Sequence, residues 1–180
     1  MTADHVAANL DPACAIAHGD LPAPGAGRLV AVFASPVADY LLHFGADLGY
    51  RTALIEPDPA RLGSGSRGRY ELFTNVSAAA CGPDADIVVT DHDRAELGDV
   101  LAAVLARSSR WVGVMGSPRH IAPHLVALRE RGVAEADIDR VHRPIGLNIG
   151  STAPAEIAVA TLAGLIADRN HRPGGFDFAG

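Results

Sequence analysis

From Arg28 onward the chain alternates short apolar runs with longer segments of helical periodicity, and this alternation constrains the fold more than any other feature. Leu29-Val30-Ala31-Val32-Phe33-Ala34 contains no polar residue, as befits a strand buried on both faces. Ser35 and Pro36 follow as N-cap and first helical residue, and Leu41, Leu42, Phe44 and Leu48 mark an apolar helix face that ends at Gly49. Thr52–Glu56 reads as the second strand, stopped by Pro57 and Pro59. Arg61–Arg69, rich in Gly, Ser and Arg, reads as a loop, and Glu71–Thr74 as a short strand.

The pattern continues to the C-terminus. Ile87–Thr90 is a strand, and Asp93-x-x-Glu96 has the form of a capping box opening a helix through Ala106. Trp111–Met115 is a strand, after which Ser117-Pro118 predicts a helix running through Ile121, Leu125 and Leu128 to Gly132. Ala134–Val141 predicts a short helix. Pro154–Arg169 predicts the last one, with Glu156 in its first turn and Arg169 in its last to match the peptide dipoles. Strands separated by helices predict a parallel α/β sheet with helices on both faces and ligands bound beyond the carboxyl ends of the strands. Residues 28–170 form that domain; residues 1–27, broken by Pro and Gly, are an arm or linker, and 171–180 a tail.

Composition removes several function classes. Aromatics make up 5% of the chain and the net charge is -6, which argues against a nucleic-acid surface. Cys14 and Cys81 have no metal-ligand spacing and imply no disulfide framework, so a reducing cytoplasm is expected. No apolar stretch reaches the ~18 residues of a membrane span, and no secretory signal pattern opens the chain.

Candidate binding residues fall at strand ends. The first turn, Ala34-Ser35-Pro36-Val37-Ala38-Asp39, lacks the glycines of a dinucleotide loop, and Asp39 sets a negative charge where phosphate would sit. Glu56 stands where a ribose-binding acid would be; the alternative is a solvent-facing acid before a turn. The second turn is better equipped. Gly116 permits close approach, Ser117 brings a hydroxyl, and Arg119 at a helix start can fork onto phosphate; the plain alternative is a Ser-Pro cap with a surface arginine. Asp91 and His92, in Thr90-Asp91-His92-Asp93, can orient each other and contact a ligand, while Asp93 is accounted for as a cap. His43 and His124 read as ordinary helix residues, and no metal site is expected. In Pro144-Ile145-Gly146-Leu147-Asn148-Ile149-Gly150, Gly146 and Gly150 frame an apolar run whose single amide, Asn148, needs a partner in the protein or a ligand.

These pieces occur together and in order. With Trp111–Arg119, Arg129-Glu130-Arg131-Gly132-Val133 and Pro154-Ala155-Glu156-Ile157-Ala158-Val159, they resemble the C-terminal, Rossmann-like domain of the xanthine dehydrogenase accessory protein family, XdhC/CoxI. The resemblance implies a cofactor-binding chaperone with no catalytic residues. Such a protein binds the molybdenum cofactor, molybdopterin, as cargo, protects it during sulfuration and delivers it to a molybdenum hydroxylase client. It also implies a companion: a separate chain supplying the family's N-terminal domain or a sulfur donor, or a second copy in a homodimer. The chain departs from the family in its glycine-free first turn, in Asn148 where Asp is common, and in Ala153 where Thr caps the last helix. Two other readings stand beside this one: an NAD(P)-binding oxidoreductase using Glu56, and a scaffold that binds no cofactor and only recruits the maturation machinery.

Overall fold

The computed structural model describes residues 27–63, 70–77, 80–117 and 122–175. Six strands, β1 (Arg28–Val32), β2 (Arg51–Ile55), β3 (Glu71–Phe73), β4 (Ala85–Val89), β5 (Trp111–Val114) and β6 (Val141–His142), form one sheet in the order β3-β2-β1-β4-β5-β6. All five pairings are parallel. The order reverses between β1 and β4, the position where doubly wound sheets open a ligand crevice. This is the Rossmann-like α/β fold that the strand–helix alternation predicts.

Helices α1 (Pro36–Asp47) and α5 (Pro154–Arg169) cover one face. Leu41 and Leu42 of α1 and Leu162 and Leu165 of α5 pack there on Leu29, Leu54 and Val88. Helices α2 (Leu97–Leu105) and α3 (Pro123–Glu130), with the short α4 (Glu135–Ile138), cover the other. Leu101, Leu128 and Ile138 meet Val30, Ile55, Ile87 and Val112 in that second layer. Burial on both faces explains the unbroken apolar composition of the last four residues of β1 and the last three of β4. No helix among the described residues is long and apolar enough to cross a membrane.

Ser35 caps α1 as expected, its Oγ accepting from Ala38 N at 3.0 Å, with Pro36 opening the helix. Three local expectations need correction. Asp93 does not cap α2; Asp91 Oδ1 accepts from Asp93 N in an Asx turn, and the helix begins at Leu97. The helix expected from Ser117-Pro118 begins at Pro123, after an extended Ala122; Pro118–Ile121 lie outside the described residues. The short helix expected over Ala134–Val141 stops at Ile138, and Val141-His142 pairs with β5 as the sixth strand. Two residues are too few to show strand alternation in sequence.

Candidate ligand edge at the carboxyl ends of the sheet

The β1–α1 turn holds one residue in a left-handed backbone conformation and is filled by protein side chains. Phe33 has φ +72°, a region where glycine is at ease and a bulky side chain is not, yet it is fully buried. The Arg94 guanidinium lies 4.5 Å from its ring centroid, a cation–π contact that holds the ring in place. Arg94 then turns onto Glu56. Nη1 donates to Oε2 at 3.0 Å and Nη2 to Oε1 at 2.9 Å, a bidentate pair with both side chains sealed from solvent. Ala34 N donates to Oε2 at 2.7 Å and Asp58 N to Oε1 at 2.9 Å.

Glu56 is therefore neither a ribose-binding acid nor a solvent-facing one. Its carboxylate accepts four donors from the chain itself, which uses its acceptor capacity. Burial pushes its pKa up, but the bonds from Arg94 and from the Ala34 and Asp58 amides outweigh that and hold it below its ordinary value. The crevice between β1 and β4 is crossed next. Ser35 Oγ donates to Thr90 Oγ1 at 3.0 Å, and Thr90 donates to Phe33 O at 2.8 Å. Calorimetry with NAD or NADP at millimolar concentration is accordingly expected to give no binding heat; a saturable isotherm would contradict this reading of the turn.

The other half of the edge is built differently. Val89 pairs with Val114 and Gly113 with His142, so the chain leaves β4, β5 and β6 side by side. Asp91 and His92 follow β4, Gly116 and Ser117 follow β5, and Arg143 follows β6. Asp91, His92, Gly116 and Ser117 are all part-exposed. His92 Nε2 lies 3.6 Å from Asp93 Oδ1, with 26% of the imidazole side chain exposed. Gly116 has φ +153°, and a Cβ there would stand 2.7–3.1 Å from the Arg143 guanidinium. The glycine thus lets a cation lie flat against a strand end. Arg143 Nη2 donates to Ser117 O at 3.2 Å.

The remaining candidates divide. Arg119 lies outside the described residues. Gly146 faces another hollow, about 260 Å3, lined also by Trp111, His142, Thr161 and Arg172. Its φ is +82°, and a Cβ would stand 3.1–3.2 Å from the α5 backbone at Ala160 and Thr161, so it serves a close chain-to-helix crossing. Leu147 N donates to Ala160 O at 3.0 Å within that crossing. Asn148 is exposed, so water meets the need that its apolar neighbours suggest is buried, and Gly150 is exposed in open space. Gly146 is thus accounted for by that crossing, while Asn148 and Gly150 stand exposed in the stretch leading to α5. Sequence reasoning passed over Arg94 and Arg143. Arg94 has no local signal of its pairing with Glu56, 38 residues away. Arg143 announces itself only by preceding the Pro144–Gly150 run.

Comparison with known proteins follows the same outline. The chain is 37% identical over 102 residues to the uncharacterised protein YqeB of Escherichia coli K12, covering 56% of this chain and 18% of YqeB. A crystal structure from Bacillus halodurans described as a xanthine dehydrogenase superposes with a TM-score of 0.65 at 22% identity, over 81% of this chain and 45% of that one. The chain thus spans less than half the length of either relative. The XdhC Rossmann domain model matches residues 29–165, from the first strand to the last helix, and the chain belongs to that family.

Proposed function

We propose that this chain is an accessory protein in the maturation of xanthine dehydrogenase-type molybdenum hydroxylases, holding molybdopterin at the ends of β4, β5 and β6. The observation that carries the reading is the contrast along one sheet edge. The β1–β2 end is sealed by Glu56, Arg94 and Phe33, while the β4–β6 end offers part-exposed polar groups around a glycine. Family membership supports the client class, and the neighbour described as a xanthine dehydrogenase is consistent with it.

The residues present fit such a cargo. Molybdopterin carries a phosphate, alone or within a dinucleotide, and a pterin dense in donors and acceptors. The Arg143 guanidinium against the bare Gly116 backbone suits the phosphate, and the Asp91 carboxylate and His92 imidazole on the adjoining strand end suit the pterin. The chain's own residues orient and shield the cargo; the chemistry of the metal belongs to the cargo. The oxidoreductase alternative loses its footing because the acid it requires is spent on Arg94.

The test is mass spectrometry of small molecules released from protein expressed in a host that makes molybdopterin. The wild-type chain is expected to carry it and Gly116→Val to lose it, with at least about a tenfold drop in occupancy from displacing the guanidinium. A folded wild-type protein that binds molybdopterin in no form overturns the proposal.

A further inference from the structure

We propose that the hollow beside Gly146 is a second binding site, for a small planar aromatic carboxylate. It shares no residue with the sheet edge assigned to the cargo. Residues of β5, β6 and α5 line a volume of about 260 Å3. Trp111 and His142 stand parallel in its wall, with ring centroids 5.0 Å apart and planes within 6° of each other. The indole can lie there because Gly113 carries no side chain; a Cβ on Gly113 would strike the Trp111 ring and Ile145. Ile145, Leu147 and Leu165 make the rest of the lining largely apolar. Such a wall favours a flat ring set against the two aromatic ones. The volume lies just under the ~300–1,000 Å3 of ordinary ligand pockets, which limits the guest to about one or two rings.

The polar side chains of the wall set the rest of the guest's chemistry. Thr161 Oγ1 donates to Ile157 O at 2.9 Å, and the Asp168 carboxylate is taken by Arg110. The Arg172 guanidinium, the His142 ring nitrogens and the Trp111 indole N–H have no hydrogen-bond partner among the described residues. All three groups donate, and Arg172 carries a full charge with no carboxylate paired to it. The guest must therefore bring acceptors and a negative charge. A carboxylate matches the fork of the guanidinium, and an aromatic ring attached to it fills the space against Trp111 and His142. An inorganic oxyanion suits the fork but brings no ring, and an aliphatic acid brings no π-face. The Asp168 charge, already matched by Arg110, does not oppose such a guest.

Trp111 is the only tryptophan of the chain, so its indole N–H gives a single side-chain signal in a 1H–15N NMR spectrum. The full chain is titrated with 1-naphthoate, and in parallel with the uncharged 1-naphthamide and with the ring-saturated cyclohexanecarboxylate. A saturable shift of the indole signal is expected with 1-naphthoate. Binding is expected to weaken at least about tenfold in Arg172→Gln, to return in part in Arg172→Lys, and to stay unchanged in the control Arg129→Gln. The amide and the saturated acid are each expected to bind at least about fivefold more weakly than 1-naphthoate. Arg172 is exposed and holds no ion pair among the described residues, so its replacement leaves the fold intact. An indole signal that 1-naphthoate does not move saturably at millimolar concentration overturns the site. Arg172→Gln binding as tightly as wild type, or cyclohexanecarboxylate binding as tightly as 1-naphthoate, overturns the assignment of an aromatic carboxylate.

Discussion

Glu56→Ala is expected to cost about 3–5 kcal/mol of folding stability, because it takes from the sealed Arg94 guanidinium its buried, bidentate counter-ion. That is a large share of the ~5–15 kcal/mol that holds an ordinary domain together. Arg94 keeps only Glu96, at 3.1 Å, and loses the two bonds that hold it over Phe33. The strained Phe33 turn then keeps the bond from Thr90 to its carbonyl but loses the fixed cation over its ring. Replacing both partners by apolar residues of similar volume, as in Glu56→Leu with Arg94→Met, is expected to recover much of the loss, since the pair's desolvation cost disappears with its attraction. Urea unfolding of the three proteins checks this; a single variant within about 1 kcal/mol of wild type contradicts the assignment of Glu56 as a structural ion.

The same pair sets a pH dependence of defined sign. In the unfolded chain the Glu56 carboxyl titrates near its ordinary 4.5, and in the folded chain it titrates lower. Between those two values the unfolded state holds a proton that the folded state refuses. The contribution is therefore complete above pH 4.5 and is lost as pH falls through the folded value. Wild type minus Glu56→Ala stability, measured from neutral pH downward, is expected to be flat and then to shrink in that acid range.

Asp86→Ala is the second large effect, at about 3 kcal/mol. Asp86 lies fully buried at the start of β4 and binds two arginines from different elements. Arg110, just before β5, donates to Oδ1, and Arg169, in the last turn of α5, donates to Oδ2 at 2.8 Å. Arg110 also pairs with Asp168, and Arg169 reaches Asp84 O at 3.1 Å while its guanidinium sits 5.3 Å from the Tyr50 ring centroid. One carboxylate thus ties the end of α5 to the middle of the sheet, far from the proposed cargo edge. Both arginines keep about a quarter of their side chain in solvent, 24% and 23%, so the loss is smaller than for the sealed Glu56 pair. Asp86→Ala is expected to unfold at lower urea while retaining molybdopterin occupancy under native conditions. A variant that stays stable and loses occupancy would contradict this division between scaffold and site.

How far the sequence speaks depends on the range of the interaction. The strands at Leu29–Val32 and Ile87–Val89 are legible because burial on both faces leaves continuous apolar runs. The Ser35-Pro36 helix start is legible because its signal is local. Asp93 misleads because an Asx turn and a helix cap draw on the same residue type, and only the tertiary path separates them. Glu56 is conspicuous in sequence but its role is hidden, since the arginine that consumes it comes from the far side of β4. Gly146 looks like a ligand glycine because close approach of a helix and of a phosphate make the same demand on the backbone. Gly116 makes that demand beside a cation, and only the strand pairing brings Arg143 to it.

Hydrogen–deuterium exchange on the full chain, with and without molybdopterin, bears on the central claim most directly. Cargo is expected to protect the backbone around Asp91–His92, Gly116–Ser117 and Arg143 and to leave Phe33–Ala38 and Glu56–Asp58 unchanged. Protection confined to the β1 and β2 turns, with the β4–β6 ends exchanging as before, would contradict it.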